Sequence, residues 1–334
     1  MKAHPEIVIV GTAGPGSHPG NSDLKNGWDL ATELGMPLID EHYYEPNAYF
    51  LSSRQYNYYP RDRKTKVYLG EYAAKDKKLI DALAECLYLL HVEANGDIVS
   101  MTSYAPLFAK KTNTNWNPDL IYFDNERPYL TCSYYVQQLF GQSSGQYYYG
   151  DCVTIEDPDE APRWRGLPQE QESGKLQGQS VVLNVKTRKL YVKLVNASDK
   201  EKEFDVNLSR FGIKKTAVKT TLEGNANDEN NYEKQPIAPK KETIKAQKKF
   251  DIDLKPYSMV MLAVRQTSYL IIPYHIRLTT NRLFVSLFIY IRMRAMKKLI
   301  MIFSLALLTM SAQAGKPWDN GKLTDVFYRR YDEL

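Results

Sequence analysis

Cysteine is scarce in this chain, with three thiols among 334 residues: Cys86, Cys132 and Cys152. None forms a CxxC pair or has a histidine at metal-ligand spacing, so no metal site is indicated. Three thiols also argue against a disulfide framework, and buried free thiols are expected. Tryptophan is sparse as well: Trp28, Trp116, Trp164 and Trp318 are scattered and make no row of the kind that grips a polymer. The glycine-rich stretch GTAGPGSHPG at 11–20 is interrupted by two prolines and opens no helix, which argues against a dinucleotide fold. The apolar run from Leu299 to Ala312, Ser and Thr included, has 14 residues. That is short of the about 20 that a membrane-spanning helix needs.

Acidic residues vanish over one segment. The formal net charge is +5, yet nine Lys or Arg and no Asp or Glu lie between Leu254 and Trp318. The body before that segment is therefore mildly acidic. It offers no basic face to phosphates, which argues against nucleic acid as a partner. What the chain has in quantity is tyrosine, 25 residues within an aromatic content of 12%. That suits a sugar cleft, where a ring stacks and a hydroxyl bonds, and it suits equally an aromatic core with exposed β surface.

Four strand candidates recur in the first half: EIVIVG at 6–11, PLIDEHYY at 37–44, KVYLGEY at 66–72 and DIVSMTSY at 97–104. Measured between Val8, Ile39, Tyr68 and Val99 the intervals are 31, 29 and 31 residues, the length of a strand–helix unit. Helical patterns fill the gaps. NSDLKNGWDLATELG at 21–35 has a capping residue and a terminal glycine, and Leu79, Leu83, Cys86, Leu87 and Leu90 form one face between 76 and 93. Strand and helix in alternation mean a parallel sheet, either doubly wound or part of a (β/α)8 barrel.

After TCSYYVQQLFG, read as the last helix of this half, the texture changes. Residues 151–178 make a polar, proline-containing connector, and from 179 to 265 short alternating segments with turn signals predict an antiparallel sandwich. Residues 266–292 fit neither part. Residues 293–334 open with basic residues, continue with the apolar run and reach Ala-Gln-Ala, the pattern of a secretory signal peptide. Such a leader cannot act from position 293. The simplest account is that two reading frames are joined and that Met293 or Met296 begins a different, exported protein. The alternative is a membrane-associating tail over 283–312, favoured by its positive flank.

The C-terminal strand ends carry Asp40, Glu41, His42, Tyr43 and Tyr44, then Glu71 and Tyr72, then Ser103 and Tyr104. In a parallel barrel such groups converge on one mouth. Carboxylates, one imidazole and several phenols suit glycoside hydrolysis, which uses paired carboxylates around an oxocarbenium-like transition state. Glu71 is equally compatible with a rim salt bridge, and His42 with a satisfied core imidazole.

The motifs HPEIVIVGTAGP, DEHYYEPNAYFLSSRQYNYY, KVYLGEYA, SYAPLFAK, NWNPDLIYFDN and YYVQQLFG occur in that order. In them the chain resembles the C-terminal half of α-L-arabinofuranosidases of glycoside hydrolase family 51. LEGNANDENNYEKQPIAP and LKPYSMVMLAV resemble that family's C-terminal β-sandwich, and the resemblance covers residues 2–265. It implies an α/β plus all-β fold: residues 1–150 as the C-terminal half of a (β/α)8 TIM barrel, strands 5–8, followed by a jelly-roll-like antiparallel β-sandwich.

It further implies that Glu71, in the GEYA motif, is the nucleophile of a retaining reaction, and that His42 and Tyr44 contact the nucleophile and the sugar. No cofactor or metal is implied. The implied partners are arabinan, arabinoxylan or arabino-oligosaccharides, and the intact parent is expected to be a periplasmic or secreted protein of a Gram-negative bacterium, in a family whose members are often homo-oligomers. The family's acid/base glutamate belongs to an NE-type motif upstream of HPEIVIVG. No such motif precedes that stretch here, so this chain is expected to lack the acid/base and to be nearly inactive by itself. The competing readings are a non-catalytic carbohydrate-binding or structural sandwich, and a truncated product without function.

Overall fold

The computed structural model describes residues 7–16 and 21–267. The signal-peptide-like segment at 293–334, and all of the 266–292 linker after Thr267, lie outside the described residues.

Four parallel strands form the first sheet. In chain order the elements are β1 (Val10–Thr12), α1 (Ser22–Glu33), β2 (Leu38–Glu45), α2 (Asn47–Ser52), β3 (Lys66–Ala74), α3 (Leu79–Ala94) and β4 (Val99–Thr102). The spatial order follows the chain, β1-β2-β3-β4, with every pair parallel. Parallel neighbours cannot be joined by a tight hairpin, so each connection is a crossover that carries helix. Asn21 starts α1, its side chain accepting from Asp23 N at 2.8 Å and Leu24 N at 3.3 Å. The first strand is shorter than its apolar run suggests. Ile7, Val8 and Ile9 precede it and stay exposed, Ile7 at 60%, because β1 is the sheet's edge.

Helix α3 is buried far beyond the single stripe that periodicity outlines, with Asp81, Glu85, Tyr88 and His91 also inside. Two layers cover it. One face meets the parallel sheet and the other meets antiparallel strands, where Cys86 Sγ lies 3.5 Å from Met259 Sδ. A Cβ on Gly178 would fall 2.6 Å from Leu87 Cδ2, so the backbone there comes close only because it lacks a side chain.

A small sheet follows, of β5 (Phe108–Lys110), β6 (Ile121–Phe123) and β7 (Pro128–Leu130), and then α4 (Cys132–Gly141), capped by the Thr131 hydroxyl. The remaining strands are β8 (Tyr147–Tyr148), β9 (Val153–Ile155), β10 (Gln177–Asn184), β11 (Lys189–Asn196), β12 (Lys202–Asn207), β13 (Ile213–Glu223), β14 (Lys240–Lys245), β15 (Lys249–Leu254) and β16 (Ser258–Gln266). They make a six-stranded sheet, β14-β13-β16-β11-β10-β8, and a three-stranded sheet, β15-β12-β9, paired antiparallel throughout. Strand β9 and the start of β10 come from the stretch that reads in sequence as a connector. In β12 the period of two is plain: Phe204 and Val206 are buried while Glu203 and Asp205 are exposed.

The α/β and antiparallel parts are tied by an ion pair whose cation is buried and whose carboxylate is partly exposed. Lys193 on β11 is 0% exposed and reaches Glu93 Oε1 on α3 at 2.5 Å and the Ser143 carbonyl at 3.0 Å. Ser180 donates to the other Glu93 oxygen at 2.6 Å. The loop after β13 returns to the start of α3, where Leu79 N donates to Asp228 O at 2.8 Å and Ile80 N to Ala226 O at 3.0 Å. These contacts satisfy amides that a helix start leaves without intrahelical partners. Among the described residues no helix is long and apolar enough to cross a membrane.

Candidate active site

Strand alternation divides β2 into two sets of side chains. Asp40, His42 and Tyr44 are partly exposed, while Glu41 and Tyr43 are buried. Glu41 accepts from Trp28 Nε1 at 2.8 Å, Tyr43 OH at 2.8 Å, Tyr59 OH at 2.7 Å and Tyr56 OH at 3.3 Å. Burial raises the pKa of its carboxyl, and these four donors oppose the rise without cancelling it. Two further phenols turn inward: Tyr72, whose hydroxyl donates to Gln137 Oε1 at 2.8 Å, and Tyr104, packed against it. The expectation that all the strand-end residues converge on one face is thus corrected for Glu41, Tyr43 and Tyr72, because a pleat sends alternate side chains to opposite sides, and for Tyr104, which lies beyond the end of β4 and packs inward on Tyr72.

By the same alternation Glu71 would share the face of the buried Leu69. A β-bulge prevents this. The register pairs Glu41 with Leu69 and then His42 with Glu71, skipping Gly70. The extra residue turns Glu71 to the side of Asp40, His42 and Tyr44, and re-aiming a side chain is what bulges do. Glycine is required there, since a Cβ on residue 70 would run into the Asp40 carboxylate.

The residues so assembled form a chain of polar contacts. Tyr44 OH donates to Glu71 Oε2 at 2.6 Å, His42 Nδ1 lies 3.4 Å from the same oxygen, and His42 Nε2 is 2.7 Å from Asp40 Oδ2. Glu71 is the most open of these acidic and imidazole side chains, 42% exposed against 18% for His42 and 21% for Asp40. Burial, the hydrogen bond to Glu71 and the negative charges of Glu71 and Asp119 all raise the pKa of the Tyr44 hydroxyl, so it stays protonated and remains a donor. Next to the group, Tyr68 OH and Ser103 Oγ are 2.8 Å apart. Trp116, 50% exposed, sets its ring against Tyr44 with centroids 5.2 Å apart.

Sequence reasoning brought His42, Tyr44 and Glu71 together, and the structure places the three in contact. Asp40 appears in the sequence only as one of several strand-end carboxylates with no role of its own, and Gly70, Trp116 and Asp119 are not singled out for the site. The spacing Asp-x-His-x-Tyr at 40–44 is a period-two signal that was available for Asp40. Nothing local points Trp116 at this site, because its loop, between β5 and β6, arrives from far along the chain. A Gly-Gln-Ser-Ser-Gly run at 141–145 spells GxSxG, yet it follows a helix, and Ser143 Oγ is buried, donating to Leu139 O at 2.6 Å. It is no nucleophile elbow. Among the described residues no group of three His, Cys, Asp or Glu is arranged to hold a metal ion.

Residues 56–258 match the family model of the α-L-arabinofuranosidase C-terminal domain. The chain belongs to that family. It is 34% identical over 143 residues to an extracellular exo-α-L-arabinofuranosidase of Streptomyces chartreusis, an alignment covering 42% of this chain and 17% of that protein. It is 35% identical over 154 residues to α-L-arabinofuranosidase 1 of Arabidopsis thaliana, covering 43% and 20%. The chain thus spans about a fifth or less of the length of these relatives. Among solved structures, an arabinose-bound family 51 α-L-arabinofuranosidase superposes with a TM-score of 0.62 at 23% identity, over 79% of this chain and 41% of that one. A family 51 α-L-arabinofuranosidase of Bifidobacterium longum gives 0.61 at 12% identity, over 79% and 60%. At these identities the likeness is one of fold.

Proposed function

We propose that this chain carries the nucleophile side of a retaining α-L-arabinofuranosidase, acting on terminal arabinofuranosyl residues of arabinan, arabinoxylan or arabino-oligosaccharides. The four-stranded parallel sheet is read as the second half of a (β/α)8 barrel and the antiparallel sheets as its C-terminal sandwich. One observation carries the reading. At the C-terminal ends of β2 and β3, the Tyr44 and His42 contacts both fall on Glu71 Oε2, at 2.6 and 3.4 Å, which leaves Oε1 to attack. The Tyr44 hydroxyl holds Oε2 in place, so the carboxyl plane is fixed with its other oxygen turned to the site.

In the first step Glu71 Oε1 forms a bond to the anomeric carbon as the bond from that carbon to the leaving oxygen breaks. The electron pair departs with the leaving group, which then needs a proton. In the second step water displaces Glu71, and two inversions restore the starting configuration. We assign the acid/base role to no residue of this chain. Asp40 is bound to His42, and Asp119 is almost wholly buried.

The leaving group therefore decides the rate. An arabinofuranoside whose leaving group departs without a proton forms the glycosyl intermediate, whereas one that needs protonation is slowed about 10²–10⁴-fold. The test compares a dinitrophenyl and a methyl α-L-arabinofuranoside on the purified full chain. A stoichiometric burst of dinitrophenolate is expected, with little reaction of the methyl glycoside and no burst in Glu71→Gln. An undiminished burst in that variant contradicts the assignment.

A further inference from the structure

We propose that Asp40 is a positioning residue for the reaction assigned to Glu71: its Oδ2 accepts a hydrogen bond from His42 Nε2–H and so fixes the ring with Nδ1 on the side of the nucleophile, across a glycine bulge that leaves room for it. The proposal rests on the reading of Glu71 above for its catalytic meaning, though not for its geometry.

Three observations carry it. First, the His42 ring stands between two carboxylates, 2.7 Å from Asp40 Oδ2 and 3.4 Å from Glu71 Oε2. Only the Asp40 contact is within normal hydrogen-bond range. A neutral imidazole carries one N–H, and the nitrogen that bears it follows from the partner of the short bond. Here that is Nε2, so Nδ1 stands beside Glu71 as an acceptor, open to a hydroxyl of the bound sugar rather than donating to Oε2.

Second, Asp40 can sit there only because residue 70 has no side chain. A Cβ on Gly70 would run into both oxygen and carbon of the Asp40 carboxyl group. The bulge that aims Glu71 inward and the space that admits Asp40 are thus one feature of the backbone. Third, Asp40 Oδ1 is buried and accepts no hydrogen bond, although a buried carboxylate oxygen ordinarily finds a donor. A purely structural carboxylate at this place would gain from a second donor. One held by a single bond to an imidazole is placed for that bond.

Chemically, the arrangement fixes the ring face and its tautomer before substrate arrives. Glu71 alternates between a free carboxylate and an ester, and its neighbour must neither rotate away nor present the wrong nitrogen as that charge comes and goes. A ring free to turn about its bond would misplace Nδ1 by an ångström or more, which costs roughly 100-fold in rate.

The test uses the full chain with ¹⁵N-labelled histidine. The His42 ring resonances are assigned by their loss in His42→Asn, among five histidines in the sequence. In the wild type the two ring nitrogens are expected at well-separated shifts, with Nε2 protonated. In Asp40→Ala they are expected to move toward each other as the tautomers mix. Asp40→Asn, whose amide oxygen can still accept from Nε2, is expected to restore most of the separation. The burst with a dinitrophenyl arabinofuranoside is expected to slow roughly 100-fold in Asp40→Ala and to recover partly in Asp40→Asn.

Unchanged ring shifts in Asp40→Ala overturn the proposal, as does an unchanged burst rate in that variant. Absence of any burst from the wild-type chain removes the reading of Glu71 instead, and the nitrogen shifts then decide the Asp40 contact alone.

Discussion

Glu85 gives the sharpest handle on stability. It lies on α3, is wholly buried, and its Oε1 accepts the Ala74 amide proton at 2.9 Å, at the end of the strand that carries Glu71. Its other oxygen has no hydrogen-bond partner. Burial lifts its pKa from an ordinary 4.5 to about 8. Between these values the folded protein keeps a proton that the unfolded chain releases, so this group's contribution to stability is full below 4.5 and is lost as pH rises through 8. At 1.36 kcal/mol per unit the whole window amounts to about 5 kcal/mol.

Glu85→Gln keeps an acceptor for Ala74 N and cannot ionise. Chemical denaturation of wild type and variant at a series of pH values should show the wild type losing stability relative to Glu85→Gln as pH rises. Asp81, four residues earlier on the helix, is raised by burial to about 6 and adds a fall in the same direction from its ordinary 3.8. Measurements above pH 6.5 isolate Glu85. Curves for the two proteins that stay parallel from pH 6.5 to 8.5 refute the reasoning.

The ion pair between the two parts of the fold makes a second case. Lys193→Met leaves the partly exposed Glu93 without its cation and with Ser180 as its remaining donor, and a loss of about 1–3 kcal/mol is expected from thermal or chemical melting. Adding Glu93→Gln should recover most of it, and a double variant no better than the single one argues against the pair. In the site, Tyr44→Phe removes the 2.6 Å bond to Glu71 Oε2 with little change in packing. The dinitrophenolate burst should slow by about 10-fold or more, since a hydrogen bond to a charged group contributes about 1.5–3 kcal/mol; an unaltered burst rate separates Tyr44 from the role proposed for Glu71.

Much of the fold was legible in the sequence because its signals are local. The apolar runs at 37–44 and 66–72 correspond to β2 and β3, Asn21 and Thr131 cap the helices that follow them, and the alternating segments after residue 179 include β12, whose inner face is Phe204 and Val206. What could not be read depends on pairing across the chain. The all-round burial of α3 follows from a second layer, contributed by β10, β11 and β16, that no window around residues 79–94 contains. Strand β9 is short because it is an edge, defined by its pairing with β12.

The site divides in the same way. Glu71, His42 and Tyr44 were reachable from motifs, yet the feature that faces them toward one another is the bulge at Gly70, visible only once β2 and β3 are aligned. Glu41 looked as suitable a carboxylate as Glu71. Its capture by Trp28, Tyr43, Tyr56 and Tyr59 shows why a strand-end acid cannot be assigned without knowing its face.

The most direct measurement is to locate the covalent intermediate. The full chain is reacted with dinitrophenyl α-L-arabinofuranoside, quenched in acid, digested and sequenced by mass spectrometry. The account predicts one anhydro-arabinose unit, held as an ester on Glu71 within the β3 peptide and absent from Glu71→Gln. A label on any other carboxylate, or an equal label in that variant, contradicts it.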